Sequence, residues 1–297
     1  MITRRLSFNA KNEKHSKGDP TIPRTPSQKI RIITLEGHTR SSKLDRVAGE
    51  EPLELRLKWR GQIVPITVTL RTVGGDFELA VGLLFSEGIV SHFDDVLEVR
   101  YCVDAPQDQQ YNVITVTLRD EAQPDLSRLG RNLFSSSGCG VCGKAGLDTL
   151  EHQGLTALKS EFQLEPSLIY ALPAQLEKTQ KTFSSTGGIH AAALFDWEGR
   201  LIVSREDIGR HNAVDKVIGW AVLNRYAALE RSILLVSARA GFEIVQKCVA
   251  ARIPVLAAVS APSSLGVELA LRFNLTLLGF LRGERVNVYS GLERLKP

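Results

Sequence analysis

The sequence predicts an α/β protein in which a parallel, helix-covered sheet is preceded by a smaller β-rich lobe. Two observations predict it. In the second half, short apolar runs at residues 233–237, 255–260 and 276–281 alternate with segments of helical spacing at 242–251 and 265–273. Strands that are apolar throughout and separated by amphipathic helices are the pattern of successive βα units, buried on both faces. In the first half, Leu55, Leu57 and Trp59 alternate with polar residues, and residues 63–70 continue with β-branched residues after Arg60-Gly61. That is the pattern of an antiparallel pair.

The remaining elements follow in chain order. Residues 1–31 are rich in Ser, Lys and Pro and poor in large apolar side chains, a composition that buries too little surface to offset ordering entropy, so a disordered basic tail is expected. A transit peptide is disfavoured by Glu13 and Asp19. Residues 76–89 carry apolar residues at helical spacing, with Asp76 as N-cap and Gly88 near the end. Strands are expected at 96–102 and 111–119, a Ser/Gly-rich loop at 135–146, and helices at 147–158 and 167–179. Residues 191–196 and 201–205 form a hairpin about Trp197-Glu198-Gly199-Arg200, and a helix is expected at 213–229. The organisation is therefore a tail at 1–31, an N-terminal lobe at 32–160 and a C-terminal α/β lobe at 161–297.

Composition excludes several classes of function. The chain has 297 residues, 43% of them hydrophobic, enough for a sizeable core. No run reaches the roughly 18 apolar residues of a membrane span, and the first thirty residues hold no apolar h-region of a secretory signal. Four cysteines do not make a disulfide framework, so a reducing, cytoplasmic setting is expected, with no membrane association. The net charge of +4 is concentrated in the tail, where eight basic residues face two acidic ones. The remainder holds 29 basic and 31 acidic residues, so nucleic acid is not an expected partner.

Open α/β sheets bind ligands beyond the carboxyl ends of their strands. Here the predicted strands end in Ser237-Ala238-Arg239-Ala240-Gly241, Ser260-Ala261-Pro262-Ser263-Ser264 and Leu281-Arg282-Gly283-Glu284-Arg285. Helix N-termini and the forked donors of Arg239, Arg282 and Arg285 suit a phosphorylated ligand. Simple pairing of these arginines with Glu243, Glu268 or Glu284 is the alternative. Neither a Walker A lysine motif nor a G-x-G-x-x-G turn is present.

The sharpest local feature is Cys139-Gly140-Val141-Cys142-Gly143-Lys144 within a Ser/Gly-rich stretch. An accessible thiol near a cation favours the reactive thiolate, whereas structural cysteines are usually buried. Zinc would require two further ligands, but Cys102 and Cys248 are isolated and no histidine starts an H-x-E motif. A thioredoxin-like pair and an incidental pair remain open. A third polar cluster comprises residues 184–190 and 205–216. There His211 and Asp215 are four residues apart, a spacing at which the carboxylate can orient the imidazole. A capped helix start with surface ion pairs is the alternative, and His190 reads as a structural histidine.

Taken together, the Cys139–Gly143 loop, the run from Thr186-Gly187-Gly188-Ile189-His190 to Ala193, residues 205–216, Ser260-Ala261-Pro262 and Arg285-Val286-Asn287-Val288-Tyr289 resemble the FdhD family of formate dehydrogenase accessory proteins. Arg71-Thr72 and residues 78–89 extend the resemblance over nearly everything after the tail. The resemblance implies a cytidine deaminase-like three-layer core without catalytic zinc or other structural metal, and a homodimer. It implies a sulfur carrier that accepts sulfur from a cysteine desulfurase as a persulfide on Cys139, assisted by Cys142. The sulfur passes to Mo-bis(molybdopterin guanine dinucleotide), the bound substrate, before that cofactor enters formate dehydrogenase. Phe280, Leu281, Arg282, Gly283, Glu284 and Arg285 are the cofactor-binding stretch by the same resemblance. At the first strand end, Ala238 and Ala240 stand where the family pattern has Gly and Ser.

Overall fold

A computed structural model describes residues 25–102, 111–126, 155–159 and 162–297. It opens on an element that composition conceals. Strands β1 (Ser27–Glu36) and β2 (Thr39–Ala48) pair antiparallel as a two-stranded ribbon closed at Gly37, whose φ is +58°. Residues 27–31, expected as the end of a disordered tail, are therefore paired strand. Ile30, Ile32 and Ile33 supply the β preference, but nearly every ribbon residue is exposed, so no half-buried alternation marks it.

The strand pair expected about Arg60-Gly61 is β3 (Glu51–Trp59) and β4 (Gln62–Arg71), both turn residues having positive φ. With β5 (Val96–Tyr101) and β6 (Val113–Leu118) they form a four-stranded sheet in the order β4-β3-β6-β5. Leu53, Leu55, Leu57, Ile114 and Val116 are buried in one core with residues of helix α1 (Asp76–Ser86). Asp76 does not cap this helix. Gly75, at φ +66°, holds the cap position, while Asp76 is buried and accepts hydrogen bonds from Arg71 and from the Tyr101 hydroxyl at 3.0 Å.

Beyond residue 161 come α2 (Pro166–Glu177), α3 (Lys181–Thr186), β7 (His190–Asp196), β8 (Leu201–Asp207) and α4 (Arg210–Leu223). The α/β alternation follows: β9 (Ser232–Val236), α5 (Phe242–Ala250), β10 (Val255–Ala258), α6 (Ser264–Arg272), β11 (Thr276–Arg282) and β12 (Arg285–Ser290). The six-stranded sheet has the order β12-β11-β10-β9-β7-β8. Among neighbouring strands only β9, β10 and β11 pair in parallel; β12 follows β11 by a tight turn and β7 pairs antiparallel with β9, while β8, antiparallel to β7, runs in the β9 direction and reaches it through the crossover helix α4. Of the helix expected at 147–158, residues 155–158 are irregular and the rest lie outside the described residues. The helix expected at 213–229 instead spans α4 and ends at Leu223, with Arg225 left-handed at φ +52°.

The six-stranded sheet is covered on both faces. Ile169, Leu172 and Leu176 of α2 pack with Ala193, Phe195, Leu235 and Leu278 on one side. On the other, Val217, Ile218, Val245, Cys248 and Leu269 share a core with Leu194, Leu234 and Leu256, and that core continues to α1 and the four-stranded sheet. The lobes thus meet through one apolar interior.

Helices α1 and α4 cross at their glycines. A Cβ on Gly219 would lie 1.8 Å from the Glu78 carbonyl oxygen, and one on Gly82 would lie 1.8 Å from that of Asp215. The backbones touch where no side chain fits. Gly219→Ala is expected to push the helices apart and lower stability by about 3 kcal/mol, at the upper end of ordinary overpacking, read as a fall in the thermal unfolding midpoint.

Candidate functional site

Sheet direction brings the singled-out motifs to one edge. The carboxyl ends of β9, β10 and β11 lie beside the start of β7, since Ala192 pairs with Val236, and the end of β8 joins them, since His190 pairs with Asp207. The start of α4 follows Asp207 directly, and β12 begins where β11 ends. Residues 184–190, 205–212, 237–241, 260–264 and 280–285 therefore gather at this edge.

The loops there are tied to one another by main-chain bonds. Ser237 N–H donates to Ala191 O, and its Oγ accepts from Ala191 N–H, both at 2.9 Å. Ala240 N–H donates to Ala261 O at 3.2 Å, Ser263 N–H to Ala240 O at 3.1 Å, and Phe280 N–H to Ser260 O at 3.1 Å. Ser263 caps α6 through Gly266 N–H at 3.1 Å, whereas Gly241 at the start of α5 offers no side-chain cap. The strand ends thus form a fixed backbone platform.

On that platform Phe280 is strained and displayed. The β11/β12 register shifts between Gly279 and Arg282, and within this bulge Phe280 adopts φ +53°, left-handed backbone that bulky residues rarely occupy. Gly279 lacks room for a side chain, because a Cβ would lie 2.9 Å from Pro262 and 3.0 Å from Tyr289. The bulge turns the Phe280 side chain outward, 40% exposed, while Leu281 is fully buried in the core. Backbone strain held by its surroundings is a recurring feature of binding sites.

Arg239, Arg282 and Arg285 are exposed, and none has an ion pair or side-chain hydrogen bond among the described residues. Pairing with Glu243, Glu268 or Glu284, the alternative considered from sequence, is not seen. Glu243 is instead engaged by His211, with Nε2 2.5 Å from Oε2. Of the expected cofactor-binding stretch, Phe280, Arg282, Gly283, Glu284 and Arg285 are exposed to a ligand, and the Leu281 side chain is not. Cys139 and Cys142 lie outside the described residues. The described chain after them, at Leu155–Leu158, sits at the far edge of the sheet: Leu158 N–H donates to Phe273 O and Arg252 donates to Thr156 Oγ1, beside the starts of β11 and β10.

The polar cluster at 205–216 divides between exposed and buried groups. Asp215 does not orient His211; the helix turns it inward, where it accepts from Ser86 at 2.6 Å and from Lys247 at 2.9 Å. Burial raises the Asp215 carboxyl above its usual range despite the opposing Lys247 charge. Asp207 and Lys216 likewise pair in the interior at 2.6 Å. These charges hold the lobes together, and spacing alone could not separate them from ligand-binding groups. His190 stays at the edge, half-buried, its imidazole shifted toward the neutral form by burial, then by Arg210 and His211.

The His211 hydrogen bond holds the Glu243 carboxyl below its ordinary range, against some desolvation. A depressed carboxylate stabilises the fold above its unfolded value and loses that contribution as pH falls through the folded one. The wild type should therefore exceed Glu243→Gln in unfolding midpoint near pH ~6, and the difference should shrink as pH falls below the ordinary glutamate value and through the lower folded one.

In an open α/β sheet, free guanidinium groups and a displayed aromatic ring at the strand ends stand where such folds bind their ligands, and their chemistry suits an anionic one. The chain is a member of the FdhD/NarQ family, whose model matches residues 48–296. It is 46% identical over 274 residues to a protein of Streptomyces avermitilis named sulfur carrier protein FdhD, covering 91% of this chain and 95% of the relative. A Mycobacterium tuberculosis protein of the same name is 47% identical over 257 residues, covering 84% and 92%. A solved structure from Desulfotalea psychrophila, described as a candidate formate dehydrogenase accessory protein, superposes with a TM-score of 0.70 at 25% identity, covering 91% of this chain and 99% of that one.

Proposed function

We propose that this chain is a sulfur carrier for formate dehydrogenase maturation, loading sulfur on Cys139 and delivering it to a molybdenum cofactor held at the Phe280–Arg285 edge. The observation that carries the binding half is Phe280, strained at φ +53° and displayed beside the unpaired Arg282 and Arg285. An exposed ring can stack on a guanine base, and forked cations match a pyrophosphate. Mo-bis(molybdopterin guanine dinucleotide) carries both groups. The names of the curated relatives support the sulfur half.

The chemistry balances with the chain's own thiols. The Cys139 thiolate attacks the terminal sulfur of the desulfurase persulfide, the donor S–S bond breaks, and the donor cysteine leaves as thiolate. Delivery as sulfide needs two electrons. Attack of the Cys142 thiolate on Cys139 Sγ supplies them, releasing hydrosulfide to the cofactor and leaving a Cys139–Cys142 disulfide for a thiol reductant to reopen. The same reading makes the chain a cytoplasmic homodimer with a deaminase-like C-terminal lobe.

Two measurements test the two halves. Incubation with a cysteine desulfurase and cysteine should give a reducible one-sulfur adduct by intact mass, lost in Cys139→Ser; absence of any adduct with an active desulfurase overturns the carrier reading and leaves a cofactor-binding chaperone. Phe280→Gly relieves the left-handed strain while deleting the ring. It should leave the unfolding midpoint unchanged or raised, yet weaken guanosine diphosphate binding about tenfold, the value of one lost stacking contact. Unchanged affinity would remove Phe280 from the site.

A further inference from the structure

The β1/β2 ribbon is the largest element that this function does not use. Its register places residues 29, 31, 33 and 35 opposite 46, 44, 42 and 40, so Lys29, Arg31, Ile33, Leu35, Arg40, Ser42, Leu44 and Arg46 share one face. All eight are exposed; Ile33 is 60%, Leu35 69% and Leu44 63% exposed. Four cations surround three aliphatic side chains, with no acidic residue on the face. Among the described residues none of the four cations has an ion pair, and neither ribbon strand pairs with a third strand.

An isolated two-stranded ribbon is marginal in water, and an uncovered aliphatic strip with open backbone edges is a template for another chain. The opposite face is the partly covered one, carrying the half-buried Ile32 and Thr34, and β2 also touches α3. The ribbon base is fixed at the binding edge: Gly49 N–H donates to Pro26 O, Thr72 Oγ1 donates to Gly49 O, and Thr72 N–H donates to Asp207. The ribbon is thus anchored at the end of β8, on the same end of the six-stranded sheet as the Phe280–Arg285 stretch, with β7, β9 and β10 between them, a span that one large protein partner covers.

We infer that this ribbon face is the docking surface for the protein that receives the cofactor, and that the recipient presents an acidic surface with an aliphatic centre. The inference rests on the proposed function and adds to it where the recipient binds. Charge pattern selects the occupant. A second copy of the same face would bring four cations against four, which is repulsive. A nucleic acid would leave Ile33, Leu35 and Leu44 without a partner, and the face has no aromatic ring on which a base could stack. A bilayer surface would satisfy the cations but not the open strand edges, which a protein strand can complete.

The test compares the wild-type chain with Arg31→Glu/Arg40→Glu and with Ile33→Ser/Leu44→Ser. Neither pair removes a buried group, so both variants should unfold like the wild type, accept sulfur on Cys139 and bind guanosine diphosphate. Each should bind purified, cofactor-free formate dehydrogenase at least tenfold more weakly, with the wild-type affinity falling as salt rises and the affinity for cysteine desulfurase unchanged. Variants that bind the apo-dehydrogenase like the wild type, or a wild type that takes up sulfur but does not bind it, overturn the docking surface and leave the carrier function standing. A shift in the chain's own oligomeric state, or binding to phosphatidylserine vesicles that the substitutions abolish, with dehydrogenase binding intact, also overturns it. Failure of the wild type to take up sulfur would refute the carrier reading itself, and failure to bind nucleotide would refute its cofactor-binding half.

Discussion

Replacing Cys139 with Ala is expected to reduce formate dehydrogenase maturation to background, a loss of at least about 100-fold, because no other group takes over a missing nucleophile. The described cysteines do not offer a substitute. Cys248 is fully buried, and desolvation pushes its thiol far above the usual range, so the reactive thiolate is suppressed. Cys102 is half-buried at the end of β5. Measurement is direct: formate oxidation by dehydrogenase co-produced with each variant, normalised to dehydrogenase protein. Cys142→Ala should load sulfur on Cys139 yet stall at delivery, giving a persistent adduct by intact mass with lowered maturation. Wild-type maturation with Cys139→Ala would end the carrier reading and favour the binding chaperone.

The gathering of the strand ends at one edge is legible in the chain for a physical reason. β9, β10 and β11 are buried on both faces, so their sequences are apolar throughout, and the switch to Ser237, Ser260 and Arg282 marks each strand's end. Residues at equivalent strand ends must share an edge. Phe280 stands apart: neither its left-handed backbone nor the bulge that turns it out has a local signature, so only the family resemblance marks it. The burial of Leu281 follows from the same bulge.

Other features were not readable, for different reasons. The ribbon is exposed on nearly all its residues, so its isoleucines show no periodicity that burial would impose. Gly82 and Gly219 read as tolerated helical glycines until the two helices are seen to touch through them. In residues 205–216, polar density suggested chemistry, but the side chains divide by helix face. Arg210 is exposed and His211 half-exposed, whereas Asn212, Asp215 and Lys216 turn inward. Partner choice across 129 residues, as in Asp215 with Ser86, is set by tertiary packing alone.

That inward group gives the second large effect. Asp207 and Lys216 are almost completely buried, their side chains 0% and 2% exposed. Asp207 also accepts from Thr72 N–H at 3.1 Å, Gly209 N–H at 2.8 Å and Asn212 Nδ2 at 3.0 Å, and Lys216 donates to Thr72 O at 2.9 Å. One carboxylate thus joins the end of β4, the end of β8 and the start of α4. Lys216→Met preserves length and apolar stem but leaves Asp207 as an unpaired buried charge, for which a loss of about 3–5 kcal/mol is expected. Asp207→Asn in the same background removes that charge while keeping one acceptor oxygen for Gly209 and Asn212. The double variant should therefore regain part of the lost stability, even though it carries two substitutions. Chemical denaturation of wild type, Lys216→Met and the double variant checks the order. A double variant less stable than Lys216→Met would show that the hydrogen bonds of Asp207, rather than its charge balance with Lys216, hold the two lobes at the binding edge.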